Sequence, residues 1–308
     1  MASKLSHDPL WPRAGSWPAP SQLDAGERAV LAILGVPAHK TSLSPTNAHT
    51  TPAAVREALM RYSATLMPDR GARGQALELD GVVDLGDVVE PDSPEGELRT
   101  QALVASAFNH ADVALAIGGD NSITVATALG AWGSHLNAAG LITLDAHYDL
   151  RDGVSNGSPV RRLVEAGLDG RRVVQIGIAD FANSAAYAAR AADYGITVIH
   201  LDEVRRRPLT DIMAEALEIA GAAGGPVHLD IDVDVCDRSV APGCPASIPG
   251  GLQAHELRTL VRAAASDKRV TSIDIAEVDA SADTPDARTV RLAALCVLES
   301  LAGISQRN

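Results

Sequence analysis

Cysteine is scarce and scattered: Cys236, Cys244 and Cys296 are the three in a chain of 308 residues. That excludes a disulfide-stapled scaffold and predicts a reducing, cytoplasmic setting. Aromatic side chains make up only 3% of the sequence, so a core must be built from Ala, Val, Leu and Ile. Basic charge is short as well, with 26 Lys and Arg against 39 Asp and Glu, a formal net charge of −13. Nucleic acid and anionic membrane both require a basic face, so neither is expected as a partner. There is no run of about 18 apolar residues, which excludes a transmembrane helix. The opening stretch MASKLSHDPLWPRAGSWPAP lacks the apolar region of a signal peptide. Its tryptophans and prolines predict an extended arm over residues 1–25, ahead of a single α/β domain over 26–308.

What the sequence does have is alternation. Apolar runs at 29–37, 79–88, 112–119, 140–147, 172–179, 196–201, 226–234 and 270–278 predict strands. Helical segments fall between them, near 51–62, 94–109, 122–136, 183–194, 207–222, 253–266 and 283–302. Thr51 before Pro52, and Thr284 before Pro285, predict helix starts. Strand then helix, repeated over short links, predicts a parallel sheet with helices on both faces. Ligand sites in such sheets gather beyond the carboxyl ends of the strands. Four of those ends are polar: GGDNS at 118–122, DAHYD at 145–149, DIDVD at 230–234 and AEVD at 276–279.

Two of these clusters alternate acidic residues. Asp145, His147 and Asp149 fall at every second position, as do Asp230, Asp232 and Asp234. Carboxylates so close repel and raise one another's pKa, and bound divalent cations remove that cost. Oxygen ligands with one imidazole suit Mn²⁺ or Mg²⁺, and the lack of thiolates argues against a structural zinc site. Asp145, Asp149, Asp232 and Asp234 bring four negative charges, matching two dications. Two metals roughly 3.5–4 Å apart lower the pKa of a shared water, which is a hydrolase design. Any one of these carboxylates alone reads as a cap or loop residue. Cys236 reads as a small buried hydrophobe, and His228 as a core or strand histidine.

From LGVPAHKTSLSPTNAHTTPAAVREAL to the C-terminal helix, about nine tenths of the chain, the sequence resembles the arginase–agmatinase–formiminoglutamase (ureohydrolase) family. The resemblance implies a three-layer αβα fold with a parallel eight-stranded sheet, two Mn²⁺ per subunit and a homo-oligomer, a trimer or hexamer. It implies that Asp145 and Asp232 bridge the metals, that Asp149 completes metal A, and that His147 and Asp234 complete metal B. Counting back from APG (241–243) selects Asp232 and Asp234 over Asp230. Glu277 matches the glutamate that holds the substrate's amidine-type nitrogen. Asp149 is the expected base and then acid in the hydrolysis.

Two departures stand out. Asn121 occupies the position where the family usually has histidine, so its amide oxygen would ligate metal A more weakly than imidazole does. Asn156-Gly157-Ser158-Pro159 replaces a His-Gly-x-Pro segment, removing the histidine that shuttles protons in arginases. The DLR after the DAH motif, SNGSPVRRL, IGIADFANSAAYAARA and DIAEVDASADTPDARTVRLAA resemble the formiminoglutamase branch in particular. Arg151 just past a metal ligand can grip a carboxylate bidentately, with Asn156 and Ser158 adding hydrogen bonds; its bland alternative is a salt bridge to Asp152 or Glu165. The expected substrate is therefore a small molecule bearing a carboxylate. The branch converts formiminoglutamate to glutamate and formamide in histidine breakdown. The rivals are a urea-releasing arginase, agmatinase or guanidino-acid hydrolase, and a catalytically silent binding or assembly protein.

Overall fold

The computed structural model describes residues 8–24, 26–67 and 77–307. The first seven residues of the expected arm, and Ala25, lie outside that set. In chain order the elements are β1 (Ala29–Val36), α1 (Thr51–Leu59), β2 (Thr65–Leu66), β3 (Leu77–Glu78), β4 (Val82–Asp87), α2 (Pro94–Ala107), β5 (Ala111–Gly118), α3 (Ile123–Trp132), β6 (Gly140–Leu144) and α4 (Pro159–Glu165). There follow β7 (Val173–Ile178), α5 (Ala185–Tyr194), β8 (Thr197–His200), α6 (Leu201–Val204), α7 (Leu209–Ala220), β9 (Val227–Asp232), α8 (Ala254–Ala265), β10 (Val270–Ala276) and α9 (Arg288–Ile304).

Eight strands form one sheet in the order β4-β1-β5-β10-β9-β6-β7-β8, and every pairing in it is parallel. Each apolar run expected as a strand supplies one of them. The small antiparallel pair β2–β3 stands apart from this sheet. The strands are apolar on both faces because helices cover both. Along β1, Leu31 and Ile33 pack with Val55 and Leu59 of α1 and with α8 and α9. The intervening Ala32 and Leu34 pack with Val104 and Ala107 of α2 on the opposite face. Leu141 of β6 likewise joins α3 and α4, while Ile142 joins the α1, α7, α8 and α9 side. The result is three layers. Of the N-terminal segment, Ala14 is buried, and Ala14 N–H bonds Tyr62 O at 2.9 Å.

Two helix starts differ from expectation because tertiary partners claim the capping groups. Thr51 is the first residue of α1 rather than its cap, and its hydroxyl donates to Val278 O, tying α1 to the segment after β10. Thr284 and Pro285 precede α9, which begins at Arg288. Asp283 holds that start, accepting from Val290 N at 3.0 Å and Thr289 Oγ1 at 2.9 Å. Helix α4 was not expected, although Pro159 in its first turn is a readable start signal.

The order of strands decides where the site lies. The four polar strand ends belong to β5, β10, β9 and β6, which are consecutive in the sheet. Their side chains therefore converge at one edge.

Candidate metal centre and cavity

Each of the four central strand ends turns in the same way. An aspartate at or just past the strand bonds the N–H two residues on, an Asx turn that lifts the chain off the sheet. Asp120 accepts from Ser122 N (3.1 Å), Asp145 from His147 N (2.6 Å), Asp232 from Asp234 N (2.8 Å) and Asp279 from Ser281 N (2.9 Å). In Asp145 and Asp232 one carboxylate oxygen fixes the backbone and the other is left for chemistry, whereas the second oxygens of Asp120 and Asp279 accept from Ser42 Oγ and Asn47 N. Gly119 allows β5 to join this arrangement: a methyl there would lie 2.1 Å from Ala38 O. With glycine in place, Gly119 O accepts the N–H of Glu277 at 2.9 Å.

The turns bring Asp145, His147, Asp149, Asp232 and Asp234 together. His147 Nδ1 meets Asp234 Oδ2 at 2.7 Å and Asp145 Oδ1 at 3.5 Å. Ala146 N–H donates to Asp234 Oδ1 at 3.1 Å. Ligand atoms of Asp145, His147 and Asp234 lie within 4.8 Å of one another, and so do those of Asp145, Asp149 and Asp232. Asp145 belongs to both sets. Asp149 and Glu277 hold left-handed backbones, with φ of 53° and 63°. Non-glycine residues rarely adopt that region, and such strain gathers at functional sites.

The electrostatics show why this cluster needs positive charge. Burial, then the neighbouring Asp149 and Asp234, push Asp145 well above the usual carboxylate range. Burial, then Asp234 and Asp145, do the same to Asp232. Burial and Asp234 raise Asp149 to about 7 against the pull of His147 and Asn121. Burial opposes charge on His147, yet Asp234 and Asp145 outweigh it and raise the imidazole to about 12. Burial also works against the Asp234 carboxylate, but His147 wins and holds it below its ordinary value. Asp145 Oδ2 is buried with no hydrogen-bond partner. A buried carboxylate oxygen left without a donor is costly. A dication held by either set would satisfy it, so the ligand atoms present fit metal binding.

Asn121 is buried beside the cluster, but its amide is committed. Nδ2 donates to Asp149 Oδ2 at 2.6 Å, and Oδ1 accepts from Thr124 Oγ1 at 2.9 Å. The nitrogen, not the oxygen, faces Asp149, so ligation by this amide requires it to turn over. Glu277 Oε1 accepts from Asn121 N–H at 2.8 Å and from Asn156 Nδ2 at 2.7 Å. Burial, then Asp120, raise Glu277 to about 8. Asn156, standing where arginases have histidine, thus orients Glu277, and its Oδ1 accepts from Leu43 N at 3.0 Å.

A cavity of about 380 Å³ opens above this floor, lined by His147, Asp149, Asp232, Asp234 and Glu277, with Arg151 and Asn156 at its side. Arg151 makes no ion pair among the described residues. The acids named as its bland partners are taken, Asp152 by Arg190 at 2.8 Å and Glu165 by Arg161. Ser158 is placed differently from its expected role. Its hydroxyl is fully buried, accepts from Ser155 N at 3.0 Å and donates to Ser155 O at 2.8 Å. It closes a turn and does not line the cavity.

Sequence reasoning missed the outer wall: Leu43, Ser44 and Thr46, then Phe181, Asn183 and Tyr187. The first group is positioned by Asp279, which accepts from Asn47 N at 2.7 Å. It also missed a polar row one pleat beneath the metal ligands. Thr143, Asp230 and Asp274 are cross-strand neighbours on β6, β9 and β10, all wholly buried. Asp274 Oδ2 accepts from Thr127 Oγ1 at 2.6 Å and meets His228 Nε2 at 3.1 Å. His228 is thus a core histidine. The alternate spacing of Asp230 with Asp232 was the only signal for this row.

Fold and site together are those of a hydrolase acting on amidine carbon–nitrogen bonds, and the chain belongs to the arginase family, whose model matches residues 29–303. Within that family it is 35% identical to the formimidoylglutamase of Bacillus subtilis (strain 168) over 285 residues, 89% of this chain and 86% of the relative. The crystal structure of formimidoylglutamase from Bacillus subtilis subsp. subtilis str. 168 matches with a TM-score of 0.88 at 31% identity, covering 100% of this chain and 96% of that one. The crystal structure of Trypanosoma cruzi formiminoglutamase with Mn²⁺ shares the fold, with a TM-score of 0.80 at 24% identity over 94% of this chain and 99% of that one. No helix among the described residues is long and apolar enough to cross a membrane.

Proposed function

We propose that this protein hydrolyses N-formimino-L-glutamate to L-glutamate and formamide, a step of histidine breakdown, as a cytoplasmic homo-oligomer with two Mn²⁺ per subunit. Arg151 carries the choice of substrate. It is a guanidinium that makes no ion pair among the described residues, though its charge reaches Asp149, and it lies beside a cavity whose floor is acidic. A substrate cationic at its reacting end and anionic at the other matches that polarity. Agmatine, which has no carboxylate, does not.

Asp145, His147 and Asp234 would hold one cation and Asp145, Asp149 and Asp232 the other, with Asn121 adjacent to the second set. When bound, the cations supply positive charge that lowers the pKa of water. The protein's own groups do the rest. Glu277 has one oxygen fixed by Asn121 and Asn156, and the other accepts from the imino nitrogen of the substrate. That holds the formimino carbon over the floor as its charge develops. Asp149, buried beside the reacting groups, takes the proton of the attacking water. It returns that proton to the glutamate nitrogen as the carbon–nitrogen bond breaks, acting as base and then acid. The missing shuttle histidine is then unnecessary, because the departing amine is protonated within the site.

The test is a panel of N-formimino-L-glutamate, arginine, agmatine and guanidino acids, run on manganese-reconstituted protein with formamide and urea both measured. Formamide and glutamate in equal amounts support the proposal. Urea from a guanidino acid, with no formamide, reassigns the substrate. Bound manganese with no turnover at all favours the silent relative.

A further inference from the structure

Arg151 is held in a way that its role as a carboxylate anchor does not by itself explain. Its N–H donates to Gly157 O at 2.9 Å, and its side chain runs across the open face of Gly157. A methyl on Gly157 would lie 2.7 Å from Arg151 Cδ, 3.2 Å from Arg151 Nε and 3.0 Å from Leu43 Cδ1. Beyond that slot the guanidinium carbon lies 6.0 Å from the centroid of the Tyr187 ring. The guanidinium of Arg190 lies 5.8 Å from the same ring.

The two arginines differ in one respect. Arg190 is paired, its Nη1 donating to Leu150 O at 2.6 Å and Asp152 Oδ1 at 2.8 Å. Arg151 shares the ring but makes no ion pair among the described residues; the acid its charge reaches is Asp149 on the cavity floor. Tyr187 sits in the first turn of α5, its N–H directed at Ser184 Oγ (3.3 Å), so the ring stands on a fixed helix end. A guanidinium resting against an aromatic ring loses side-chain freedom yet keeps N–H donors for a carboxylate. Holding those donors in place before binding reduces the ordering cost of recognition.

Resting on the carboxylate-bearing substrate proposed above, we infer that Gly157, Tyr187 and Arg190 form a cradle that presents Arg151 to the substrate's carboxylate, so that the cavity selects formimino and amidino acids over uncharged analogues. Gly157 provides the passage for the side chain. Tyr187 fixes its tip. Arg190 anchors the ring from its other neighbour and keeps Asp152 away from Arg151. These are positioning residues, since each acts through Arg151. The polarity follows: acidic floor, basic rim, and a ligand aligned between them.

The experiment uses the full chain loaded with Mn²⁺ and measures glutarate binding by calorimetry, alongside KM and kcat for N-formimino-L-glutamate and for a formimino alkylamine of similar length without a carboxylate. Tyr187→Ala should weaken glutarate binding and raise KM for the acid by roughly threefold to thirtyfold, the span expected for a lost ring–guanidinium contact. Its kcat, and its kinetics on the uncharged amine, should stay as in the parent. Tyr187→Phe keeps the ring and should restore parent values. Gly157→Ala should weaken glutarate binding as Tyr187→Ala does, with some loss of kcat as well because the neighbouring Asn156 holds Glu277. If that variant fails to fold by circular dichroism, the tyrosine pair still decides. Arg151→Ala bounds the effect. Loss of glutarate binding in Arg151→Ala, with parent-like binding in Tyr187→Ala, overturns the cradle and leaves the substrate reading intact. Parent-like glutarate binding in Arg151→Ala overturns both.

Discussion

The floor and the rim of the cavity are built by opposite means. On the floor, carboxylates stand at the ends of four adjacent buried strands, and Asp145 and Asp232 each have one oxygen pinned by a backbone N–H. Their positions follow from sheet geometry, and their mutual repulsion is what makes the site demand cations. The rim sits on connections after the strands. Arg151 is placed there by a missing side chain and an aromatic ring. The floor is therefore suited to chemistry shared across a family, and the rim to the choice of substrate. Loops on a rigid scaffold can vary without disturbing the strands beneath.

The largest effect should come from breaking the floor. Asp232→Ala removes a carboxylate whose Oδ1 fixes the Asp234 turn and which belongs to one ligand set. Manganese affinity should fall by more than about 100-fold, beyond the loss caused by an outer-shell partner, and turnover should vanish with it. Mass spectrometry of the reconstituted variant measures this. Parent-like metal content would mean that the acidic cluster is not the metal site. Glu277→Gln should be the next largest. It removes charge facing the reacting nitrogen while leaving both ligand sets in place. The expected loss is roughly 100- to 1000-fold in kcat, with metal content unchanged, which separates holding the substrate from holding the metal.

The floor should also announce itself through pH, in metal-free protein. Asp149 is raised to about 7 and Glu277 to about 8, burial being the first cause of both. An acid raised in the folded state keeps a proton that the unfolded chain has already released. Stability is therefore full below the ordinary carboxylate pKa and falls as pH rises towards 7 and 8, by up to about 1.4 kcal/mol per pH unit for each group. Thermal unfolding of metal-free protein from pH 5 to 9 should show a falling midpoint. Added Mn²⁺ should raise the midpoint more at pH 8.5 than at pH 6, because the cations reward the ionised form. A midpoint that rises with pH in the metal-free protein would contradict the buried, repelling cluster.

The same contrast explains what could be read in the chain. The eight strands were legible because strands buried on both faces are continuous apolar runs, and the floor because alternate acids after such runs have few other uses. The ends of α1 and α9 were not, since Thr51 is claimed by Val278 and Asp283 takes over the start of α9. Asn121 was legible as a substitution, but not the direction of its amide, which is set by Thr124 and Asp149. The rim was only half legible. Arg151 is flagged by its place after DAHYD, whereas Tyr187 reaches it from α5 and leaves no mark in local spacing. Asp230 was visible only as an extra acid, because Asp274 beside it comes from a neighbouring strand.

Ser158 supplies the smallest effect and the sharpest test of how far the rim extends. Its position two residues after Asn156 made it a candidate for the substrate, but its hydroxyl bonds Ser155 on both sides, as donor and acceptor. Replacing it with alanine strands Ser155 N–H inside a buried turn, while Ser155 O keeps the Ser158 N–H at 3.2 Å. The cost should be about 1–3 kcal/mol of folding stability, the range for stranding a buried polar group. The turn also carries Asn156, so a small loss of kcat through Glu277 is compatible with this role. A rise in KM confined to substrates with a carboxylate is not. Denaturant unfolding together with KM for N-formimino-L-glutamate and its uncharged analogue decides between them. Lost stability with an unchanged preference for the acid keeps Ser158 in the scaffold and leaves carboxylate recognition to Arg151.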